Sequence, residues 1–257
     1  MFELIYLSKP LLGVNMGLTK SQNNNRKLRQ KSWQNNMNKP NQKIIGIQGG
    51  AGSFNEITVK ENLEELKYLI SQRLENQDKN LKNTFGKNGQ QMNLKTEYLF
   101  TTDNVLKSLE NGKIDYGLFA FVNSIGGIVA ETAAVLGHYK FEFVHSFKTQ
   151  ISHTLMKLDT QHLSQINQIM AHDQVFRQCK SQLTRKYNHL KRISGIGDLT
   201  DNGSIALALS ENKLENTAIL MSNIMTDIYD NLEIIEENLE DNPNNYTTFL
   251  LVAPFGK

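Results

Sequence analysis

Short apolar runs alternate with helical segments along residues 44–252, and several of the runs end in a polar turn that carries glycine. Residues 44–47, 96–101, 115–122, 165–170 and 217–222 read as strands; 56–75, 103–110, 174–187, 204–211 and 223–229 read as helices. Strand and helix in alternation predict a parallel-rich α/β fold, because a crossover helix is the cheapest return path between parallel neighbours. In open sheets of this kind ligands bind beyond the C-terminal ends of the strands, so the turns there are the first places to look for a site.

The first such turn follows residues 43–48. Gly49, Gly50 and Gly52 let backbone N–H groups approach a ligand, and Ser53 with Glu56 three residues on marks a capped helix start, where an anion is favoured. The Lys-Ser/Thr pair of a P-loop is missing, and the glycine spacing is wrong for a dinucleotide fingerprint. A second turn, 123–129, follows the strand at 115–122. Residues 141–153 read as one strand with Phe141, Phe143 and Phe147 on one face and His145 the polar exception. His172 and Gln174 open a helix, either as caps or as ligand contacts. Near the end, a turn-rich stretch over 241–245 runs into an apolar strand at 249–252, with Thr247 and Thr248 at the junction; threonines there serve as β-formers or as rigidly held hydroxyls.

Composition narrows the function classes. Of 28 basic and 26 acidic residues, eight and one fall within 1–43, which leaves 20 and 25 and a net charge of −5 for the remainder. The basic character belongs to the N-terminal stretch, so no nucleic-acid surface is expected on the folded part. No run of eighteen apolar residues exists, and no membrane span is expected. Cys179 is the only cysteine, which excludes an intrachain disulfide and favours a reducing compartment, read here as the cytoplasm. Residues 1–42, rich in Asn, Gln and Lys, are expected to be a disordered extension; an organelle transit peptide, or translation from Met16 or Met37, is left open. No His-Glu-x-x-His or similar spacing suggests a metal, and no cofactor is expected.

Five turns in order carry a family resemblance. Residues 49–55 (GGAGSFN), 119–129 (FAFVNSIGGIV, followed by Glu131 and Thr132), 151–155 (ISHTL), 171–179 (AHDQVFRQC) and 245–249 (NYTTF) resemble the motifs G-P-x-G-T-F-S, V-P-I-E-N-S-x-x-G-x-V, I-x-H-x-L, S-H-P-Q-A-L-x-Q-C and N-x-T-R-F of the prephenate dehydratase catalytic domain. The resemblance spans about 44–255. Val122 stands where the family has Glu, Asp173 where it has Pro, Thr248 where it has Arg, and the helix start at Asp201-Asn202-Gly203 lacks a hydroxyl unless Ser204 supplies it.

The resemblance implies a two-lobed α/β domain like a type II periplasmic binding protein, with a cleft between lobe one (44–136 and 233–257) and lobe two (137–232). It implies a carbon–oxygen lyase that converts prephenate to phenylpyruvate, acts as a homo-oligomer, and, ending at Lys257, lacks feedback through the regulatory ligand-binding module that often follows. Thr247 is then the candidate catalytic residue. Gly52, Ser53, Phe54, Asn123, Ser124, Gly127, His172, Gln174, Ser204, Thr248 and Phe249 are candidate substrate contacts, with the turn N–H groups of Gly50 to Phe54 holding carboxylates and Phe54 and Phe249 walling the ring. His153 reads as a hinge or core histidine and Cys179 as core. Arogenate as substrate, decarboxylation without loss of the hydroxyl, and a non-catalytic binder are the alternatives.

Overall fold

Strand β1 (Gln42–Gln48) buries its second half, Ile45 to Gln48, between helices on both faces of a sheet. The computed structural model describes residues 42–256 except 83, 87–88, 196–198 and 200–201; the expected extension lies outside the described residues apart from Gln42, as do Gly197, Asp201 and Lys257. After the glycine turn come α1 (Phe54–Glu61) and α2 (Leu63–Gln77), one expected helix broken at Asn62. Strand β2 (Asn93–Phe100), α3 (Thr102–Glu110), β3 (Tyr116–Asn123), the two-residue β4 (Gly127–Ile128) and α4 (Ala130–Leu136) follow, then the long β5 (Phe141–Gln150). The chain goes on through β6 (Thr154–Leu158), β7 (Gln168–Ala171), α5 (Asp173–Gln178), α6 (Lys180–Lys186), β8 (Lys191–Ser194), α7 (Asn202–Ser210), β9 (Thr217–Met221), α8 (Met225–Ile228) and β10 (Leu232–Glu236), and ends in β11 (Tyr246–Pro254).

Two mixed sheets result. The first has the order β2-β1-β3-β11-β5 with β4 beside β3, and the second the order β10-β6-β9-β7-β8. Strands β2, β1 and β3 are parallel, whereas β11 is antiparallel to both its neighbours, so the last strand of the chain is locked in the middle of the first sheet. Each sheet is sandwiched. Ile45, Ile47, Leu66, Ile70, Leu118 and Phe249 pack on one face of the first, and Val105, Leu106, Leu109, Phe119 and Val252 on the other. In the second, Leu155, Ile169 and Leu220 pack with Cys179 and Leu183 of the α5–α6 segment, while Met156 and Ile219 pack with Ile205 and Leu209 of α7 and Met225 of α8. Each fully buried aliphatic side chain contributes on the order of 1.5–3 kcal/mol.

The two-lobed α/β architecture is the expected one, but the lobe boundaries move. The crossovers expected near 137–141 and 230 fall instead at 151–153 and 237–245. Strand β5 pairs with β11 from Phe141↔Pro254 to Tyr246↔Gln150 and so belongs to the first lobe, and β10 pairs with β6 and stays in the second. The strand expected to run to His153 therefore stops at Gln150, and a separate strand starts at Thr154 in the other sheet. A register shift opposite Leu251 and Val252 skips Val144, which breaks the two-residue period. Phe147 and Val144 reach the core shared with Phe249, Phe141 packs against Phe119 on the opposite face, and Phe143 is exposed.

Candidate functional site

The glycine turn is the floor of a cleft between the lobes. Gly49 and Gly52 adopt φ of 85° and 77°, the left-handed region that glycine enters without strain. Gly52 is also pressed against the second lobe, for a Cβ there would lie 1.9 Å from Met225 Cε, and its carbonyl accepts a hydrogen bond from Ser222 Oγ at 2.7 Å. Ser53 caps α1 by accepting from Glu56 N, and the Glu56 carboxylate accepts from Gly52 N at 2.7 Å. Ser53 N in turn donates to Gly50 O. Two of the five N–H groups expected to hold a ligand are thus spent on the turn itself, and those of Gly50 and Ala51 are left with no partner among the described residues.

Opposite the turn, the end of β3 lies beside the beginning of β11. Asn123 is the hub: its Nδ2 donates to Asn245 Oδ1 at 2.8 Å and to Thr247 Oγ1 at 2.9 Å, and its Oδ1 accepts from Ile125 N and Gly126 N. Because Thr247 Oγ1 accepts from Asn123, the threonine hydrogen is free to donate elsewhere, and no acceptor for it lies within reach among the described residues. Thr247 sits inside β11 rather than at its start and is buried, 7% exposed.

A cavity of about 470 Å³ lies between these elements, a size typical of small-molecule sites. From the first lobe it is lined by Gln48 to Ala51, Ser53, Phe54, Asn55, Phe100, Ala120, Asn123, Val129, Thr247 and Phe249. The second lobe and the crossover bring Ile151, His153, His172, Gln174, Val175, Gln178, Asn202 and Gly203. Seven of the expected residues thus meet: Ser53, Phe54, Asn123, His172, Gln174, Thr247 and Phe249.

Five do not line it. Gly52, within the turn, is pressed against Met225 and Ser222 of the second lobe. Ser124 clamps the neighbouring loop, donating to Asn244 O and accepting from Tyr246 N. Gly127 is exposed in β4. Ser204 lies one residue beyond Gly203, inside α7. Thr248 faces the other side of the sheet, since neighbours in a strand alternate.

His172 both caps and lines. Its Nδ1 accepts from Gln174 N at 3.1 Å, which leaves Nε2–H as a donor. His153, 2% exposed, lies at the crossover as expected. Its Nε2 is 2.6 Å from Gln178 Oε1 and donates to it, its backbone N–H reaches the Glu240 carboxylate at 2.9 Å, and Phe54 packs edge-on against its ring. Burial pulls its pKa below the usual histidine value, while Gln178 and Glu240 oppose the shift. Its Nδ1 is buried with no partner among the described residues, as are Asn55 Oδ1 and Asn202 Oδ1, whose residues line the same cavity. Cys179 is buried in the core, where desolvation pushes its thiol well above the ordinary range.

Gln48, Asn55, Phe100 and Gln178 are cavity residues that sequence reasoning passed over. Gln48 carried the clearest signal, a polar residue ending a buried strand just before the glycine turn. Its Oε1 accepts from Ala120 N at 2.9 Å and its Nε2 donates to Glu131 at 2.8 Å, tying β1 to β3 and α4. Among the described residues, no Lys, Arg, Asp or Glu lines the cavity, and no cluster of three metal-ligating side chains exists. Among the described residues, a ligand's charge there meets backbone N–H groups, amides, hydroxyls and imidazoles.

Fold and site together define a two-lobed, cleft-forming small-molecule domain with a hydroxyl, amides and two imidazoles facing its ligand space. The family model described as prephenate dehydratase matches residues 45–255, and the chain belongs to the prephenate dehydratase family. The bifunctional chorismate mutase/prephenate dehydratase of Neisseria gonorrhoeae is 26% identical over 153 residues, covering 60% of this chain and 41% of that protein. The Buchnera aphidicola protein of the same name is 30% identical over 155 residues, covering 59% and 38%. The chain thus spans about two fifths of the length of these relatives. A solved prephenate dehydratase from Arthrobacter aurescens, in complex with L-Phe, superposes with a TM-score of 0.63 at 17% identity, covering 83% of this chain and 61% of that one, and shares the fold.

Proposed function

We propose that the chain is a prephenate dehydratase, a carbon–oxygen lyase that takes prephenate to phenylpyruvate with loss of CO2 and water. The observation that carries this is the Thr247 hydroxyl, held in the cavity by Asn123 with its hydrogen unspent. In the reaction the ring carboxylate departs as CO2, its bonding electrons enter the ring, and the C4–O bond breaks as the ring becomes aromatic. The departing oxygen needs a proton to leave as water. A threonine is far too weak an acid to be freely ionised, so Thr247 acts by donating a hydrogen bond to that oxygen and passing a proton that solvent replaces. The Asn123 amide, donating to the threonine oxygen, stabilises the charge that develops on it.

The substrate carboxylates find three donors: the Gly50 and Ala51 N–H groups and the His172 Nε2–H. Phe54 and Phe249 offer flat apolar walls to the ring. Donors fixed in a cleft with little water act more strongly than in solution. A single cysteine, Cys179, which rules out an intrachain disulfide, supports action in a reducing compartment such as the cytoplasm, and family likeness supports a homo-oligomer.

A second reading has its own support. Asn55 and Asn202 line the cavity, where among the described residues no Lys, Arg, Asp or Glu is found, and their buried amide oxygens have no donor there, so a turn of either side chain would offer an acceptor to an ammonium group. Arogenate, which carries an amine where prephenate carries a ketone, has that group. Turnover of both compounds by the purified protein, followed by ultraviolet absorbance and NMR against a Thr247→Ala control, separates the readings. Thr247-dependent phenylpyruvate supports the first, phenylalanine from arogenate the second, and a non-aromatic diene would point to a decarboxylase. Tight binding without turnover would leave a binding protein.

A further inference from the structure

Phe100 stands in a conformation that its own fold does not call for. Its φ is 65°, the left-handed region that a bulky side chain rarely enters. Thr101 N donates to Leu99 O at 2.7 Å, so Phe100 is the centre of a γ-turn of the rarer, strained hand. The strand is irregular there as well, for Ile47 pairs with Tyr98 and Gln48 with Phe100, which skips Leu99.

The surrounding contacts hold this geometry without the Phe100 side chain, through Phe100 O, Leu99 O and Thr101. Gly49 N donates to Phe100 O at 2.9 Å. On the far side Asn104 Nδ2 holds Leu99 O at 3.0 Å, while Thr101 Oγ1 caps α3 by accepting from Asn104 N. A glycine or an asparagine would make the same backbone bonds with less strain. Nor does the ring supply core packing, because Phe100 is 60% exposed. What the ring does is line the cavity beside the glycine turn. It lies so close over Gly50 that a Cβ there would meet Phe100 Cε1 at 3.3 Å.

A large apolar side chain kept exposed, at a cost in backbone strain, on the rim of the cleft has its use in the ligand. We infer that Phe100 is a specificity-determining residue, whose ring closes the lobe-one rim of the cleft over the substrate ring. The inference rests on the ring-bearing substrate proposed above. Packing of this kind is the same before and during the reaction, so it acts on binding and leaves the chemical step alone.

The test is Phe100→Asn, which suits the left-handed backbone, with Phe100→Tyr as the variant that keeps the ring. Phe100→Asn is expected to raise Tm by about 2–4 °C. It is expected to raise KM for prephenate, and the calorimetric Kd for phenylpyruvate, about three- to tenfold with kcat within about twofold. Phe100→Tyr keeps wild-type KM and Kd. Phe100→Asn with unchanged KM and Kd, or with a lowered Tm, would overturn the assignment. Wild-type protein that binds phenylpyruvate without turning over prephenate removes the dehydratase reading alone, with Phe100 still judged by Kd. Wild-type protein that does neither removes both.

Discussion

Val122 and Thr248 are cross-strand partners on β3 and β11, one step from the Asn123–Thr247 pair and on the opposite face of the sheet. These are the two positions where the family motifs carry Glu and Arg, so both departures fall on one pair of facing residues outside the cavity lining. Lys148, the partner of Thr248 on β5, lies over the Tyr246 ring at 4.5 Å on that same face. In this register a Glu at 122 and an Arg at 248 would face each other as a cross-strand ion pair. Such pairs contribute roughly 0.2–1 kcal/mol. Building it with Val122→Glu and Thr248→Arg is expected to change unfolding free energy by no more than about 1 kcal/mol. The double variant should keep kcat/KM within about threefold, as for a change that leaves transition-state contacts alone. Urea melts and steady-state turnover check both; a tenfold change in kcat would place the pair in the mechanism.

Thr247→Ala removes the hydroxyl that faces the cavity and leaves the Asn123–Asn245 bond intact. The expected loss in kcat is about 10²–10³-fold, the usual scale for one donor to developing charge. Thr247→Ser should recover much of it. Asn123→Ala should lose both activity and stability, because it also strips the acceptor from Ile125 N and Gly126 N. Circular dichroism melts beside turnover distinguish the two patterns.

Gly52 is constrained twice, by its φ of 77° and by Met225 from the other lobe. Gly52→Ala is expected to cost about 1–3 kcal/mol from the backbone and overpacking together. Trimming the opposing side chain in Gly52→Ala/Met225→Ala should relieve the steric part only, giving a coupling energy in a double-mutant cycle of about 0.5–3 kcal/mol. Additive losses would mean that the lobes do not press together at this point.

His153 makes stability depend on pH. Burial lowers its folded-state pKa from the ordinary 6.5, so the unfolded chain binds the proton more readily than the folded one. The stabilisation is complete above pH 6.5 and is lost as pH falls from there toward the folded-state value. Tm should therefore decline more steeply below pH 6.5 in the wild type than in His153→Gln. Parallel slopes in a series of melts between pH 7.5 and 5 would show that the imidazole does not carry this dependence.

Local features were open to reading from the chain itself. The Ser53 cap, the glycine turn, the capping role of His172 and the apolar runs of β1, β3 and β9 each depend on residues within about four positions, or on one side chain's own stereochemistry. The order of motifs, and with it the family and the threonine in the cleft, followed from such local signals. Tertiary structure alone decided which sheet β5 joins, where the lobes divide, and which side of β11 each threonine faces. Strand register and bulges are set by partners far away in sequence, as with Thr247 against Asn123, and a single skipped residue such as Val144 turns every side chain beyond it to the other face. The strained turn at Phe100 belongs to this second group, because neighbours on β1 and α3 hold it and nothing in the run of residues 93–100 announces it.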